Sequence, residues 1–315
     1  MVNILDTTLR EGEQTKGVMF TKQQKMEIAK LLDDLGVDKI EAGHPIISKR
    51  DFECVKAVAN IKLKAEILGH ARARKEDIDA VADSGCKWVG IFCGINEISR
   101  ENKLGGISKE EVYNKIIESI KYSKKLGLNV RYSIEDSTRT ELKDIIEITR
   151  LAIKAGADVI SIVDTTGCAT PNEFYKIIKT IKEETSAKLE VHCHNDYGLA
   201  LANSLAAYEA GVDTIDVSIN GIGERAGITS LAELFVNLNI RYGESRRDLS
   251  KLSYLKDKVE EYSKVKMDKL RPIVGENAFT HVADLHVKAV KKNPNAYESL
   301  DPVLVGRNRE LIFKK

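Results

Sequence analysis

The segment Glu190-Val191-His192-Cys193-His194-Asn195-Asp196 carries the sharpest chemical signal in the chain. On a β-strand, residues i and i+2 point to the same face. His192 and His194 therefore present their imidazoles together. Two imidazoles hold a divalent metal once an acidic residue completes a facial set with open positions. Two packing or hydrogen-bonding histidines are the alternative, and the adjacent Glu190, Asn195 and Asp196 weigh against it. Arg10 and Arg131 are candidates for holding an anionic substrate, because a guanidinium grips a carboxylate through two parallel hydrogen bonds. Their alternative use is internal salt bridges to Glu41, Glu135 or Asp136.

These residues need elements to position them, and the chain supplies a repeat of about 30 residues, the size of a strand–helix unit. A helical pattern, a glycine stop and an apolar strand recur at 34–43, 83–94, 125–136, 154–165 and 209–220. Gly36, Gly85, Gly127, Gly156 and Gly211 sit where a helix ends in a left-handed residue. The strands that follow are Val/Ile-rich and almost continuously apolar, as strands covered on both faces are. Thr21-Lys22-Gln23-Gln24 and Ser108-Lys109-Glu110-Glu111 are capping boxes, and Thr170-Pro171-Asn172-Glu173 adds proline at the first helical position. With further strands near 3–9, 64–70 and 188–194, strand and helix alternate eight times by about residue 220. Helices are expected near 21–35, 50–60, 75–84, 108–126, 140–154, 171–185, 198–210 and 228–240. The pattern predicts a closed (β/α)8 TIM barrel over 1–244 and a short α-rich C-terminal appendage over 245–315. An open doubly wound sheet is the runner-up, weakened by the lack of a glycine-rich phosphate loop after the first strand.

In such a barrel, chemistry gathers at the C-terminal ends of the strands. The polar residues fall there: Asp6, Arg10 and Glu11 after the first strand, Glu41 and His44 after the second, His70 after the third. The fifth strand carries Arg131, Ser133, Glu135 and Asp136, the sixth ends in Asp164 and Thr165, and the eighth in Asn220. Glu11 can reach the histidine pair, since strands one and seven are two apart in a closed barrel. Other acids at the mouth could substitute, so spacing leaves the third ligand open.

The bulk numbers exclude several classes. Lys+Arg total 49 and Asp+Glu 48, so no charge excess points to nucleic acid or an anionic membrane. No apolar run approaches the roughly 18 residues of a membrane span. The N-terminus does not resemble a signal peptide, and a cytoplasmic location is expected. Cys54, Cys86, Cys93, Cys168 and Cys193 are scattered and odd in number, which predicts reduced, buried thiols.

Asp6-Thr7-Thr8-Leu9-Arg10-Glu11-Gly12-Glu13-Gln14, His192-Cys193-His194-Asn195-Asp196 and Asn220-Gly221-Ile222-Gly223-Glu224-Arg225-Ala226-Gly227 resemble three signatures of the DRE-TIM metallolyase superfamily. Within it the chain resembles the acyltransferase branch of isopropylmalate, homocitrate, citramalate and Re-type citrate synthases, most of all the homocitrate synthase-like members. The resemblance extends to Gly275–His281 and His286, similar to the short subdomain that follows the barrel in these synthases. It implies a metal-dependent Claisen condensation of acetyl-CoA with a 2-oxo acid, with Mg2+, Mn2+ or Zn2+ as the ion and acetyl-CoA as co-substrate. Carried over, it makes Glu11, His192 and His194 the metal ligands. Arg10 becomes the alkoxide-stabilising residue, and Glu190 the acid beside the metal histidines. Arg131 and Thr165 become contacts to the oxo-acid carboxylate, with Gln14, His70 and Ser133 in the same substrate-binding set. His286 and Tyr297 become acid/base elements delivered by a second copy, which implies a homodimer with an exchanged C-terminal segment.

The pairing of Glu11 with Ile228 resembles homocitrate synthases, whereas the isopropylmalate branch has Asp and Asn there. Strand four reads Gly90-Ile91-Phe92-Cys93 where homocitrate synthases carry an acid, so the oxo acid stays open among 2-oxoglutarate, oxaloacetate, pyruvate, 2-oxoisovalerate and phosphonate analogues. The chain stops soon after Gly306-Arg307, so a truncated subdomain without an allosteric domain is expected. A carbon–carbon lyase or aldolase shares the site, but the lyase's late cysteine has no counterpart after Cys193. A barrel that binds without turnover is the remaining alternative.

Overall fold

The computed structural model describes residues 1–313. Eight parallel strands alternate with helices: β1 Asn3–Asp6, α1 Lys22–Leu35, β2 Lys39–Gly43, α2 Lys49–Ala59, β3 Glu66–Arg72, α3 Lys75–Asp83 and β4 Trp88–Phe92. Then follow α4 Glu97–Lys103, α5 Lys109–Lys125, β5 Asn129–Ile134, α6 Leu142–Ala155, β6 Val159–Asp164, α7 Pro171–Glu184, β7 Leu189–Cys193, α8 Ala200–Glu209, β8 Thr214–Val217 and α9 Leu231–Tyr242. β1 pairs with β2 on one side and with β8 on the other, from Asn3↔Thr214 to Asp6↔Val217, so the sheet closes. Closure settles the choice between barrel and open sheet.

The three expected N-terminal boxes form at Thr21, Ser108 and Thr170, each hydroxyl accepting the third backbone N–H while the Gln or Glu side chain accepts the cap's own. The five glycine stops adopt left-handed φ. In α6, Ile145, Ile148, Thr149 and Ala152 are buried, the i, i+3, i+4, i+7 stripe of a helix laid on a sheet. Each fully buried aliphatic side chain of this layer contributes roughly 1.5–3 kcal/mol of transfer free energy.

Boundaries differ from expectation in three places. β1 ends at Asp6, because the Thr7 carbonyl accepts from the backbone of Arg10 and Glu11 and turns the chain. β8 ends at Val217, and Asn220 lies in a following 3-10 turn with φ 63°. The short helix α4, capped by Asn96, precedes α5 in a unit read as one helix. Its seven residues are too few for a clear apolar period.

Beyond the barrel, α10 (Leu252–Ser263), β9 (Thr280–His281), α11 (Asp284–Lys292) and β10 (Glu310–Leu311) form the C-terminal segment, with β9 and β10 paired in parallel. Leu252, Leu255, Val259, Phe279 and Val305 are buried in the same apolar core as the barrel. All five cysteines are free; four are buried and Cys168 is partly exposed. No described helix is long and apolar enough to cross a membrane.

Candidate metal centre and substrate cavity

The strands' C-terminal ends surround a cavity of about 530 Å³. Behind its lining residues Arg10, His70 and Arg131 lies Glu41 of β2, a fully buried carboxylate. It accepts from the Thr7 hydroxyl, from Arg10 Nε at 2.6 Å and from Arg131 Nη2 at 2.7 Å, and it meets His70 Nδ1 at 2.9 Å. Burial works against its charge, but Arg10 and Arg131 outweigh that and hold its carboxyl well below the usual carboxylate range.

Arg131 Nη1 donates to Glu190 at 3.0 Å and lies 3.6 Å from Asp216 Oδ2. Both terminal nitrogens of Arg131 thus meet carboxylates, the internal pairing that sequence left as the alternative to substrate binding. Its partner among the three acids considered is Glu41. Glu135 pairs with Lys103, and Asp136 with Arg139. Arg10 differs: Nε meets Glu41, Nη1 meets Glu11, and Nη2 has no protein partner among the described residues. Burial, then Asp216's charge, pushes Glu190 up to about 8; burial pushes Asp216 up to about 7, with Glu41's charge adding. These neighbours hold a proton at neutral pH, because Arg131 cannot neutralise three buried carboxylates at once.

His192 and His194 stand with ring centroids 5.0 Å apart. Donor atoms of Glu11, His192 and His194 lie within 4.8 Å of one another, and all three residues are buried. The loop after β8 brings them together. His194 bridges to Ile228, the Asn195 N–H donates to Gly227, and the Glu224 N–H donates to Glu11 Oε1 at 2.8 Å. Gly227 is required there: its φ is +82°, and a Cβ would lie 1.9 Å from the Gly221 carbonyl oxygen.

The donor set fits a divalent ion. His192 Nδ1 is 3.0 Å from Asp216 Oδ2, the carboxylate–histidine arrangement that fixes a ligand's tautomer and orientation. His194 Nδ1 is buried without a hydrogen-bond partner, the orphaned state of a nitrogen that awaits a ligand. Burial lowers both imidazoles to about 4, so they are neutral and able to donate lone pairs at pH 7. With its amide turned to donate, Gln14 places its nitrogen 2.9 Å from Glu11 Oε2.

His70, Ser133 and Thr165 line the same cavity, as do Arg10 and Arg131. His70 stacks on Phe92 with centroids 4.5 Å apart. Thr165 Oγ1 accepts from the Asp136 N–H, and its carbonyl accepts from Arg225. Glu190 lies one pleat below His192 on β7. His286 and Tyr297 are elsewhere: they stack on each other at 3.9 Å in the C-terminal segment, and neither lines this chain's cavity. Asp216 was not singled out in the sequence. Its signal was an acid inside the apolar strand Thr214-Ile215-Asp216-Val217, at a buried position. Lys25 was also missed. It is buried on α1 and donates to the Leu9 carbonyl at 2.7 Å while pairing with Glu13.

Residues 1–259 match the HMGL-like family, and residues 273–315 match the homocitrate synthase post-HMGL domain-like family. The chain belongs to the HMGL-like family. It is 44% identical over its full length to homocitrate synthase AksA of Methanocaldococcus jannaschii, covering 78% of that protein. It is 44% identical over 99% of its length to the homocitrate synthase of Pyrococcus abyssi, covering 86% of it. A 2-isopropylmalate synthase of M. jannaschii is 43% identical, and the chain spans 61% of that relative's length. These similarities place the family member in the acyltransferase branch. Among solved structures, Bacillus subtilis HMG-CoA lyase superposes with a TM-score of 0.76 at 19% identity, covering 84% of this chain and 95% of that one. At that identity the likeness concerns the fold alone.

Proposed function

We propose that the protein catalyses a metal-dependent condensation of acetyl-CoA with a 2-oxo acid, in the manner of a homocitrate synthase, releasing CoA. The observation that carries the proposal is the Glu11–His192–His194 cluster opening into the same cavity as the unspent Nη2 of Arg10. The names of the relatives matched along nearly the whole of this chain, homocitrate and isopropylmalate synthases, support the reaction class.

A divalent ion held by Glu11, His192 and His194 supplies Lewis acidity toward a keto oxygen. Arg10 is held from behind by Glu41 and Glu11, so its free Nη2 offers a fixed donor to an oxygen that gains negative charge. Such a donor acts more strongly in a cavity with few waters than in bulk solvent. Glu41 and Arg131 fix this arrangement by tying β2, β5 and β7 together. Thr165, Ser133 and His70 bind the acid. The condensation removes a proton from the acetyl methyl group, forms a carbon–carbon bond at the keto carbon and leaves a thioester that water cleaves to a carboxylate and CoA.

His286 takes the methyl proton, with Tyr297 beside it. Because their stacked pair lies away from this chain's own cavity, both act in the site of a second copy. Exposed Leu285, Val303 and Leu304 on the same segment support an exchanged homodimer. A cytoplasmic location completes the proposal.

The test is CoA thiol release from acetyl-CoA with metal-loaded protein and, in parallel, pyruvate, 2-oxoisovalerate, oxaloacetate, 2-oxoglutarate and phosphonopyruvate. Release that depends on both metal and one acid is expected. No release with any acid, in protein shown to hold metal, overturns the proposal.

A further inference from the structure

Across the barrel mouth from the metal cluster, beside His70, stands a histidine that the condensation chemistry leaves unused, His44. β3 and β7 are four strands apart in a ring of eight, so His70 of β3 faces His192 of β7 across the opening. Next to His70 stands His44, directly after β2, with its ring edge-on to His70 at 5.5 Å and to Phe92 at 6.2 Å. His44 lines the cavity.

His44 is held from behind. Its Nε2 is 2.9 Å from Oδ2 of Asp77, a buried carboxylate on α3. Asp77 is in turn gripped by Arg72, whose Nε donates at 2.8 Å, Nη2 at 2.9 Å and backbone N–H at 3.0 Å. A carboxylate accepts but does not donate, so the proton sits on Nε2 and Nδ1 is the nitrogen left for a ligand. A buried carboxylate anchored by a guanidinium fork is a costly way to hold an imidazole that only packs. It is the usual way to hold one that binds or reacts, with a third group orienting the ring.

We infer that His44 is a specificity-determining residue that reads the far end of the 2-oxo acid and selects acids bearing a second anionic group. The inference rests on the condensation reading, which puts the acid's keto and carboxylate oxygens at the metal side and points its tail across the mouth. An anionic tail meeting Nδ1 brings one proton from solvent onto that nitrogen. The resulting imidazolium lies between Asp77 and the tail, which is a charge-assisted pair on each side. An alkyl tail strips water from Nδ1 and returns nothing to it. His70 is braced in the same way, with its Nδ1 engaged by Glu41, and it already belongs to the acid-binding set of the proposed function.

The experiment compares wild type, His44→Gln and His44→Phe in steady-state thiol release with 2-oxoglutarate, oxaloacetate and phosphonopyruvate against pyruvate and 2-oxoisovalerate. Wild type is expected to prefer an acid of the first group, and the preferred member reports tail length and whether carboxylate or phosphonate is read. In both variants KM for that acid rises roughly tenfold to a hundredfold, the scale of a lost charged hydrogen bond, while kcat is largely kept. In His44→Phe, KM for 2-oxoisovalerate stays level or falls. A wild type that prefers 2-oxoisovalerate or pyruvate overturns the inference. So does an equal KM change for all acids, or loss of every activity in both variants, since His44 would then serve the shared chemistry or the fold. A wild type that turns over none of the acids refutes the condensation reading instead and takes this inference with it.

Discussion

Replacing Arg131 with Met separates two uses of one guanidinium, since sequence allowed Arg131 to hold substrate while the structure gives both of its terminal nitrogens to carboxylates. The contacts are 2.7 Å to Glu41 and 3.0 Å to Glu190, among groups almost wholly removed from solvent. Removing one partner of a buried pair costs about 3–5 kcal/mol, because the other charge is left uncompensated. Two features favour the lower end. Glu41 keeps Arg10 and His70, and burial favours a proton on the Glu190–Asp216 pair near neutral pH. The expected loss is therefore about 3 kcal/mol at pH 7 without metal or substrate, or roughly 5 °C in Tm. The pH dependence has a definite sign. Glu41's carboxyl is held well below its ordinary 4.5, so its contribution is present above that value and is lost as pH falls through the lowered one. The variant's deficit is then full at neutral pH and narrows on acidification through the carboxylate range. Urea unfolding of both proteins in chelator, across that range, measures it. A deficit under about 1 kcal/mol at pH 7, or one that widens on acidification, refutes the network as a source of stability.

Arg10→Ala is expected to lower kcat by about 10²–10³ while metal content per chain is kept, as for loss of an oxyanion donor. Loss of metal in parallel would make Arg10 structural. Glu11→Gln should weaken metal binding by at least about tenfold, read by metal analysis after dialysis against a graded chelator; unchanged retention would remove Glu11 from the ligand set. His286→Ala should abolish thiol release with an unchanged unfolding curve, and mixing it with Arg10→Ala should regain activity if the two residues meet in one site across two copies. Thiol titration should find one fast-reacting cysteine, Cys168, in the native protein and five after denaturation. Burial holds Cys86 and Cys93 up at about 11, so rapid native labelling of either would contradict the packing.

The sequence by itself determined the architecture and pointed to many of the residues that line the cavity. Eight alternations of apolar strand and helix leave few ways to bury strands on both faces, and i, i+2 spacing placed His192 and His194 together before any coordinates. What it could not determine depends on contacts between distant segments. Whether Arg131 meets substrate or Glu41 depends on the register of β5 against β2 across the barrel, which no local pattern encodes. Asp216 acquires its meaning only when β8 lies beside β7 and turns its carboxylate to His192. The Asp77 brace on His44 joins α3 to the end of β2, 33 residues apart in sequence. Periodicity reports which face a residue is on; only closure of the barrel decides which charge it finds there.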